Sequence, residues 1–296
     1  MDIDLIIKDN HSGSMTLLQN MLKQLEEELV SVKDDKTPDI GALYEKISEF
    51  VKEVVKNQPN MANIRRYGFS FTNHFKKLLL QEVKAADIIT DLSQTLISIK
   101  KEIEDNVQTI SRHITKIITH MPKVMTISNS TLVRLSFDEA IAQNKKLEVT
   151  CLKSHPPDEG VILAEYLSQF DVRVRIASDF EVGLFMDDIN FVLIGADRIL
   201  EDEIINKSGT LPLCLTAQYF NIPVYLVSET AKILLEQNRA VKFRKRDAAE
   251  IYENTDNEII VDNFYYERVP LKYIDKIICE EGIFDSEEFK KWYLKG

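Results

Sequence analysis

Residues 191–198, Phe191-Val192-Leu193-Ile194-Gly195-Ala196-Asp197-Arg198, decide the fold. Four consecutive apolar residues describe a strand buried on both faces, the pattern of a parallel sheet covered by helices. Two small residues follow, and then a carboxylate at the strand's carboxyl end. In open α/β sheets that end is where ligands bind. A carboxylate walled by apolar strands is suited to proton transfer near neutral pH. The same Asp197 also reads as a helix or turn cap, or as an ion-pair partner of Arg198.

Working outward, similar runs recur at Val124-Met125-Thr126-Ile127, Leu147-Glu148-Val149-Thr150-Cys151, Val172-Arg173-Val174-Arg175-Ile176 and Pro223-Val224-Tyr225-Leu226-Val227. Helical patterns near 131–143, 159–170 and 209–220 separate them. A last strand–helix pair lies around Ile277-Ile278 and 286–294. This alternation predicts a doubly wound, Rossmann-like parallel sheet over 121–296. Residues 14–120 have a different period. Leu18, Met21, Leu22, Leu25 and Leu29 recur at three and four, as do Leu43, Ile47, Phe50, Val51, Val54 and Val55. Ile88, Leu92, Leu96, Ile99, Ile103, Val107, Ile110, Ile114 and Ile117 continue the spacing and predict one long helix. Met121-Pro122 ends it, because a residue before proline leaves the α region. The fold class expected is therefore α/β, with a helical N-terminal domain (1–120) before the sheet domain (121–296). The long stripe is also compatible with a coiled-coil scaffold over 84–119.

The composition removes several classes. The chain has 9 glycines in 296 residues, roughly 3% against an average of about 7%. No G-x-G-x-x-G or P-loop spacing can be written from them, so dinucleotide cofactors and P-loop nucleotides are not expected. No apolar run is long enough to span a bilayer. The acidic start Met1-Asp2-Ile3-Asp4 lacks a leader pattern. Cys151, Cys214 and Cys279 are far apart and odd in number, which fits a reducing, cytoplasmic setting. No metal-ligand spacing exists, so neither a metal nor another cofactor is expected. The net charge of −11 falls mostly on 121–296, which argues against direct nucleic-acid binding. The exception is the basic run Lys242-Phe243-Arg244-Lys245-Arg246, a solvated loop or a phosphate contact. His113 and His120 read as structural residues at the end of the long helix.

The strand tips supply the candidate site. After the first strand come Ser128-Asn129-Ser130, able to hold a phosphate or sugar hydroxyls, or simply to cap a helix. After the second and third come Ser154-His155-Pro156 and Ser178-Asp179. Downstream of Asp197, Asn206-Lys207-Ser208-Gly209-Thr210 open a helix. A lysine beside helix-start N–H groups makes an anion site, and a phosphorylated small molecule is its natural guest.

Together these segments resemble a known family. Val192-Leu193-Ile194-Gly195-Ala196-Asp197-Arg198-Ile199 is similar to its strand-plus-aspartate motif, and Ile205-Asn206-Lys207-Ser208-Gly209-Thr210 to its N-K-x-G-T motif. Asn221 to Lys232 resembles its next strand and E-[ST]-x-K tail, Glu280-Glu281-Gly282-Ile283-Phe284 its C-terminal motif, and Gln58-Pro59-Asn60-Met61-Ala62 a proline-centred motif of its isomerase branch. The family unites the alpha, beta and delta regulatory subunits of translation initiation factor 2B with ribose-1,5-bisphosphate isomerase and methylthioribose-1-phosphate isomerase. In the isomerases a cysteine at the first strand tip and the aspartate at the fourth interconvert aldose and ketose phosphates. Here the aspartate is Asp197, and Ser128 stands at the cysteine position. His155 stands where arginine precedes proline, and Arg268-Val269-Pro270 where threonine-proline is usual. A serine hydroxyl is a far weaker acid than a thiol of pKa about 8.5.

The resemblance implies a regulatory or binding protein with a sugar-phosphate or nucleotide pocket and no efficient isomerase chemistry. Its ligand contacts would be Asn206, Lys207, Gly209, Asn129, Ser130 and Asn60, with Ser128 and Asp197 at the catalytic positions. It also implies a homodimer or larger assembly, with translation factors among the partners. The alternative is a working aldose–ketose isomerase with Asp197 as base, assisted by Ser128 or water.

Overall fold

The computed structural model describes every residue except 10, 11, 34, 36, 82, 119, 120, 235–240, 242, 254–258 and 294–296. His120 and Lys242 therefore lie outside the described residues. Contacts divide the chain into two compact units, Met1–Asn106 and Val107–Gly296.

The first unit is helical: α1 (Asp4–Ile7), α2 (Ser14–Lys33), α3 (Ile40–Asn57), α4 (Ala62–Leu79) and most of α5 (Ala85–Thr115). Helix α3 starts where the Asp39 carboxylate accepts the Ala42 N–H at 2.9 Å, satisfying one of the first-turn donors. Its stripe Leu43, Ile47, Phe50, Val51 and Val54 is buried, as are Leu18, Met21, Leu22 and Leu25 of α2. Each such side chain contributes about 1.5–3 kcal/mol of transfer free energy. The described part of the chain contains no helix long and apolar enough to cross a membrane.

The second unit is the sheet domain. In chain order its elements are β1 (Lys123–Thr126), α6 (Thr131–Ala142), β2 (Leu147–Leu152), α7 (Glu159–Leu167), β3 (Val172–Ala177), α8 (Val182–Phe185), β4 (Phe191–Ile194), β5 (Arg198–Ile199), β6 (Glu203–Lys207), α9 (Thr210–Tyr219), β7 (Val224–Val227), β8 (Tyr266–Pro270), β9 (Lys276–Cys279), β10 (Gly282–Phe284) and α10 (Ser286–Tyr293). Seven strands form one sheet in the order β10-β9-β7-β4-β1-β2-β3. All its neighbours run parallel except the β9–β10 hairpin.

Alternation along each strand divides the core between the two faces. Met125, Val192, Ile194, Leu226 and Ile277 pack with Leu213, Cys214 and Ala217 of α9 and Phe289 of α10. Val124, Phe191, Leu193, Val227 and Ile278 pack with Leu132, Val133 and Phe137 of α6, Leu163 and Leu167 of α7, and Ile110 and Ile114 at the end of α5. The chain winds outward from β1 to β3, returns, and winds the other way from β4. This doubly wound arrangement puts the topological switch point between β1 and β4, where the crevice of such sheets opens.

A second sheet, β5-β6-β8, is antiparallel throughout. The sequence reading has 206–210 leading into a helix. The structure instead makes Glu203–Lys207 a strand, because β8, some sixty residues later, pairs with it. In register, Asn206 opposes Glu267 and Lys207 opposes Tyr266. Since β5 begins just after the β4 tip, this small sheet brings those residues to the carboxyl edge of the large one.

Candidate functional site

The β1 tip turns sharply at Ser128, which adopts φ 68°. Ser154, at the β2 tip, does the same at φ 65°. Left-handed backbone at residues with side chains costs of order 1 kcal/mol or more and is concentrated at functional sites. The two turns are joined. The Ser128 N–H donates to Ser154 Oγ at 2.7 Å, and Ser154 Oγ donates to the Leu152 carbonyl at 2.9 Å. Asp179, at the β3 tip, accepts the N–H groups of Ser154 at 2.7 Å and His155 at 2.8 Å. Three of the predicted strand tips are thus tied together on the edge where Asp197 forms the fourth.

Ser128 Oγ donates to Glu159 Oε2 at 2.5 Å. Glu159 opens α7, and its other oxygen is 3.5 Å from Lys207 Nζ. Lys207 is 3% exposed. It donates to the Pro156 carbonyl, and its ammonium lies 4.5 Å from the Tyr265 ring centre. Burial pushes the Glu159 carboxyl above its ordinary value, against the pull of Lys207 and Ser128. Burial likewise pushes Lys207 below its ordinary value, against Glu159, Asp179 and Asp197. Asp197 is half-buried, with its N–H on the Ile205 carbonyl at 2.9 Å. Its charge is felt by Glu159, Lys207 and Tyr266. The Tyr266 phenol is held well above its usual value by burial and by these carboxylates. Lys232, of the E-[ST]-x-K tail, is buried and donates to the Ala196 carbonyl at 2.6 Å, bracing the backbone next to Asp197.

The opening of α9 departs from expectation in one respect. Gly209 has φ +100°, a conformation that favours glycine. Its N–H, expected to face an anionic ligand, donates to Glu267 Oε1 at 2.7 Å, and the Leu211 N–H reaches the same oxygen at 2.9 Å. The chain's own carboxylate thus fills the helix start. Asn206 is buried and donates to Thr210 Oγ1 at 3.0 Å, and that hydroxyl donates to the Lys207 carbonyl at 2.5 Å.

At α6 the reverse holds. Ser130 is the N-cap by position, but its side chain makes no capping hydrogen bond. Among the described residues no side-chain hydrogen bond is made by Asn129 or Ser130. A Cβ at Gly195 would collide with the Ser130 side chain, so glycine lets the β4 tip approach this turn. Asn60 belongs to the helical unit and is buried there, and its Oδ1 meets no hydrogen-bond partner among the described residues.

Glu159, Tyr266 and Glu267 escape the sequence reading. An acid in a first helical turn and a polar strand near the C-terminus are common features and carry no distinguishing pattern. The three cysteine thiols are free and buried, and burial pushes each up to about 12. None is a thiolate near neutral pH. Among the described residues no cluster could hold a metal ion. Of the basic run, Arg246 is half-buried over the Tyr265 ring at 4.8 Å, while Lys245 pairs with Asp262. A separate cleft of about 260 Å³, lined by Asn221, Lys272, Tyr273 and Asp275, opens at the opposite edge of the sheet, where Asp275 accepts the N–H of Val224 at 2.8 Å.

Comparison with known proteins agrees with this architecture. The chain belongs to the initiation factor 2 subunit family, whose model matches residues 10–286. It is 28% identical over 179 residues to a ribose 1,5-bisphosphate isomerase of Haloterrigena turkmenica, covering 55% of each chain. The chain thus spans about half the length of such isomerase relatives. It is 26% identical over 249 residues to a putative translation initiation factor eIF-2B subunit 2-like protein of Pyrococcus furiosus, covering 83% of each. The crystal structure of 5-methylthioribose 1-phosphate isomerase from Pyrococcus horikoshii superposes with a TM-score of 0.81 at 17% identity, covering 99% of this chain and 87% of that one. This last likeness establishes the fold.

Proposed function

We propose that this member of the initiation factor 2 subunit family is a regulatory or binding protein that holds a sugar phosphate or nucleotide at the β1/β4 switch point and lacks efficient isomerase chemistry. The observation that carries the reading is the state of Ser128. The resemblance sets it at the position of the isomerases' cysteine, and its hydroxyl is already donated to Glu159. An alcohol in that state is a poor acid, and losing a positioned acid or base typically costs about 10²–10⁴ in rate.

In this proposal Asn129 and Ser130 receive the ligand's hydroxyls or phosphate oxygens, since their side chains are uncommitted. Lys207 supplies the cation and Asn206 shapes the turn beside it. Asp197 orients a ligand hydroxyl. Gly209 contributes backbone shape rather than its N–H. The protein works in the cytoplasm as a homodimer or larger assembly and meets translation factors there.

A second reading, the working aldose–ketose isomerase, is favoured by one observation. Glu159 and Asp197 are two carboxylates at one sheet edge, close enough that Glu159 feels the Asp197 charge, an arrangement that suits acid–base division. Incubation with pentose and methylthiopentose phosphates separates the two. The binding reading expects ligand-induced thermal stabilisation and no ketose product. Ketose formation that disappears in Asp197→Asn overturns it in favour of the isomerase. Phosphosugars and nucleoside monophosphates that all fail to stabilise the wild-type protein remove the pocket altogether.

A further inference from the structure

One of the chain's own carboxylates stands where an incoming phosphate would have to stand. Glu159 lies 3.5 Å from the Lys207 ammonium and takes the Ser128 hydroxyl at 2.5 Å. It thereby occupies both the cation and one hydroxyl of the pocket. We propose that Glu159 is the specificity-determining residue of this site: a phosphate group reaches Lys207 only as Glu159 accepts a proton, so binding a phosphorylated ligand takes up one proton. This rests on the reading above that the pocket holds a phosphorylated small molecule.

The charges around Glu159 explain why the proton goes there. Lys207 faces it from β6, and Arg246, from the segment before β8, is the second cation nearby, over the Tyr265 ring. Asp197, after β4, and Asp179, after β3, are the other acids acting on Lys207. Tyr265 and Tyr266 complete the wall from the β8 side, both sensing the Glu159 charge. On its own stretch, the neighbouring Asp158 is engaged by His155 at 2.7 Å and Lys153 at 3.0 Å. A dianionic phosphate entering this set adds charge to three carboxylates and two cations. Like charges a few ångströms apart in a desolvated pocket cannot all stay ionised. Asp179 spends both carboxylate oxygens on backbone N–H donors. Asp197 is half-buried and keeps contact with water. Glu159 has its side chain only 13% exposed and both oxygens committed, one beside Lys207 and one to the Ser128 hydroxyl, so it is the carboxylate that an incoming phosphate meets. Once protonated, its O–H can donate to a phosphate oxygen, and the Ser128 hydroxyl is released to turn toward the ligand.

Calorimetric titration of the full chain with ribose 5-phosphate and with inorganic phosphate tests this. Each titration is run in two buffers of different ionisation enthalpy between pH 6.5 and 8.5, for wild type and Glu159→Gln. Each probe's own phosphate titration, near pKa about 6 for the monoester, is common to both proteins and drops out of the difference. Wild type is expected to take up close to one proton more than the variant. Its affinity should weaken relative to the variant by up to about tenfold per pH unit as pH rises, the limit for one linked proton. The variant should bind more tightly at pH 8. Equal proton uptake in the two proteins overturns the inference while leaving the binding reading intact. Absence of binding by both probes overturns both. If the variant fails to fold, wild type with ribose 5-phosphate alone decides, because that monoester is dianionic at pH 8 and zero uptake there refutes the coupling.

Discussion

The turn after β1 and the turn after β6 are built from the same kinds of residue but are in opposite states. Ser128-Asn129-Ser130 and Asn206-Lys207-Ser208-Gly209-Thr210 both leave a strand, and each leads into a helix. After β6 the donors are spent within the chain: Lys207 on Pro156 and Glu159, Asn206 on Thr210, and the Gly209 and Leu211 N–H groups on Glu267. After β1 only Ser128 is engaged, and the side chains of Asn129 and Ser130 are uncommitted. The difference teaches that a polar motif states a capacity for binding and says nothing about whether that capacity has been used. The β6 turn is pre-built at a cost in desolvated charge. The β1 turn holds its donors in reserve.

The largest expected break in this contrast comes from Lys207→Met. Removing the cation leaves Glu159 buried beside Asp197 without its partner, and breaking a buried pair in this way costs about 3–5 kcal/mol. Urea unfolding at pH 7 measures it. Part of the loss should return as pH is lowered, because a Glu159 that takes up a proton no longer needs the lysine. An equal loss at every pH would mean that packing, not charge, holds the turn. Glu267→Ala comes next. It strips the cap from the first N–H groups of α9 and should cost about 0.5–2 kcal/mol, read from the same unfolding curves.

Smaller still is the pH dependence of wild type. The Glu159 carboxyl is raised on folding, so the folded state holds that proton more tightly than the unfolded one. Its contribution is full below the unfolded carboxyl value of about 4.3 and is lost as pH rises through the folded value. Glu159→Gln should flatten this part of the stability profile, and an unchanged slope would assign it to other groups. The smallest change in stability belongs to Ser130→Ala. A capping serine is normally worth about 1 kcal/mol, but this hydroxyl caps nothing, so the shift should stay within about ±0.5 kcal/mol. Phosphosugar affinity should instead fall by a few-fold, the worth of one hydrogen bond of about 0.5–1.5 kcal/mol. A full capping loss in the melt would show that the hydroxyl serves the helix after all.

Much of the large sheet is legible in the sequence because its strands are continuous apolar runs. Phe191–Ile194 is read to the residue, and the runs at 124–127, 147–151 and 172–176 lie within a residue of β1, β2 and β3. The small sheet is not legible. β5 has two residues, β6 carries Glu203, Asn206 and Lys207, and their partner β8 is distant in the chain, so no local period announces them. Asp197, Ser128 and Lys207 are visible as polar residues at strand ends. Glu159 and Glu267 are invisible as site residues, because each earns its role only by what it meets across a long separation.

By itself, the sequence determined the helical start, the doubly wound sheet and the edge on which polar side chains collect. Burial pattern and period are local properties of the chain, and the carboxyl edge follows from them through topology. Only the tertiary structure decided which of those polar groups remain available. Whether a lysine is open to a phosphate depends on whether a carboxylate from another element reaches it first, and that is a matter of distances between residues remote in sequence.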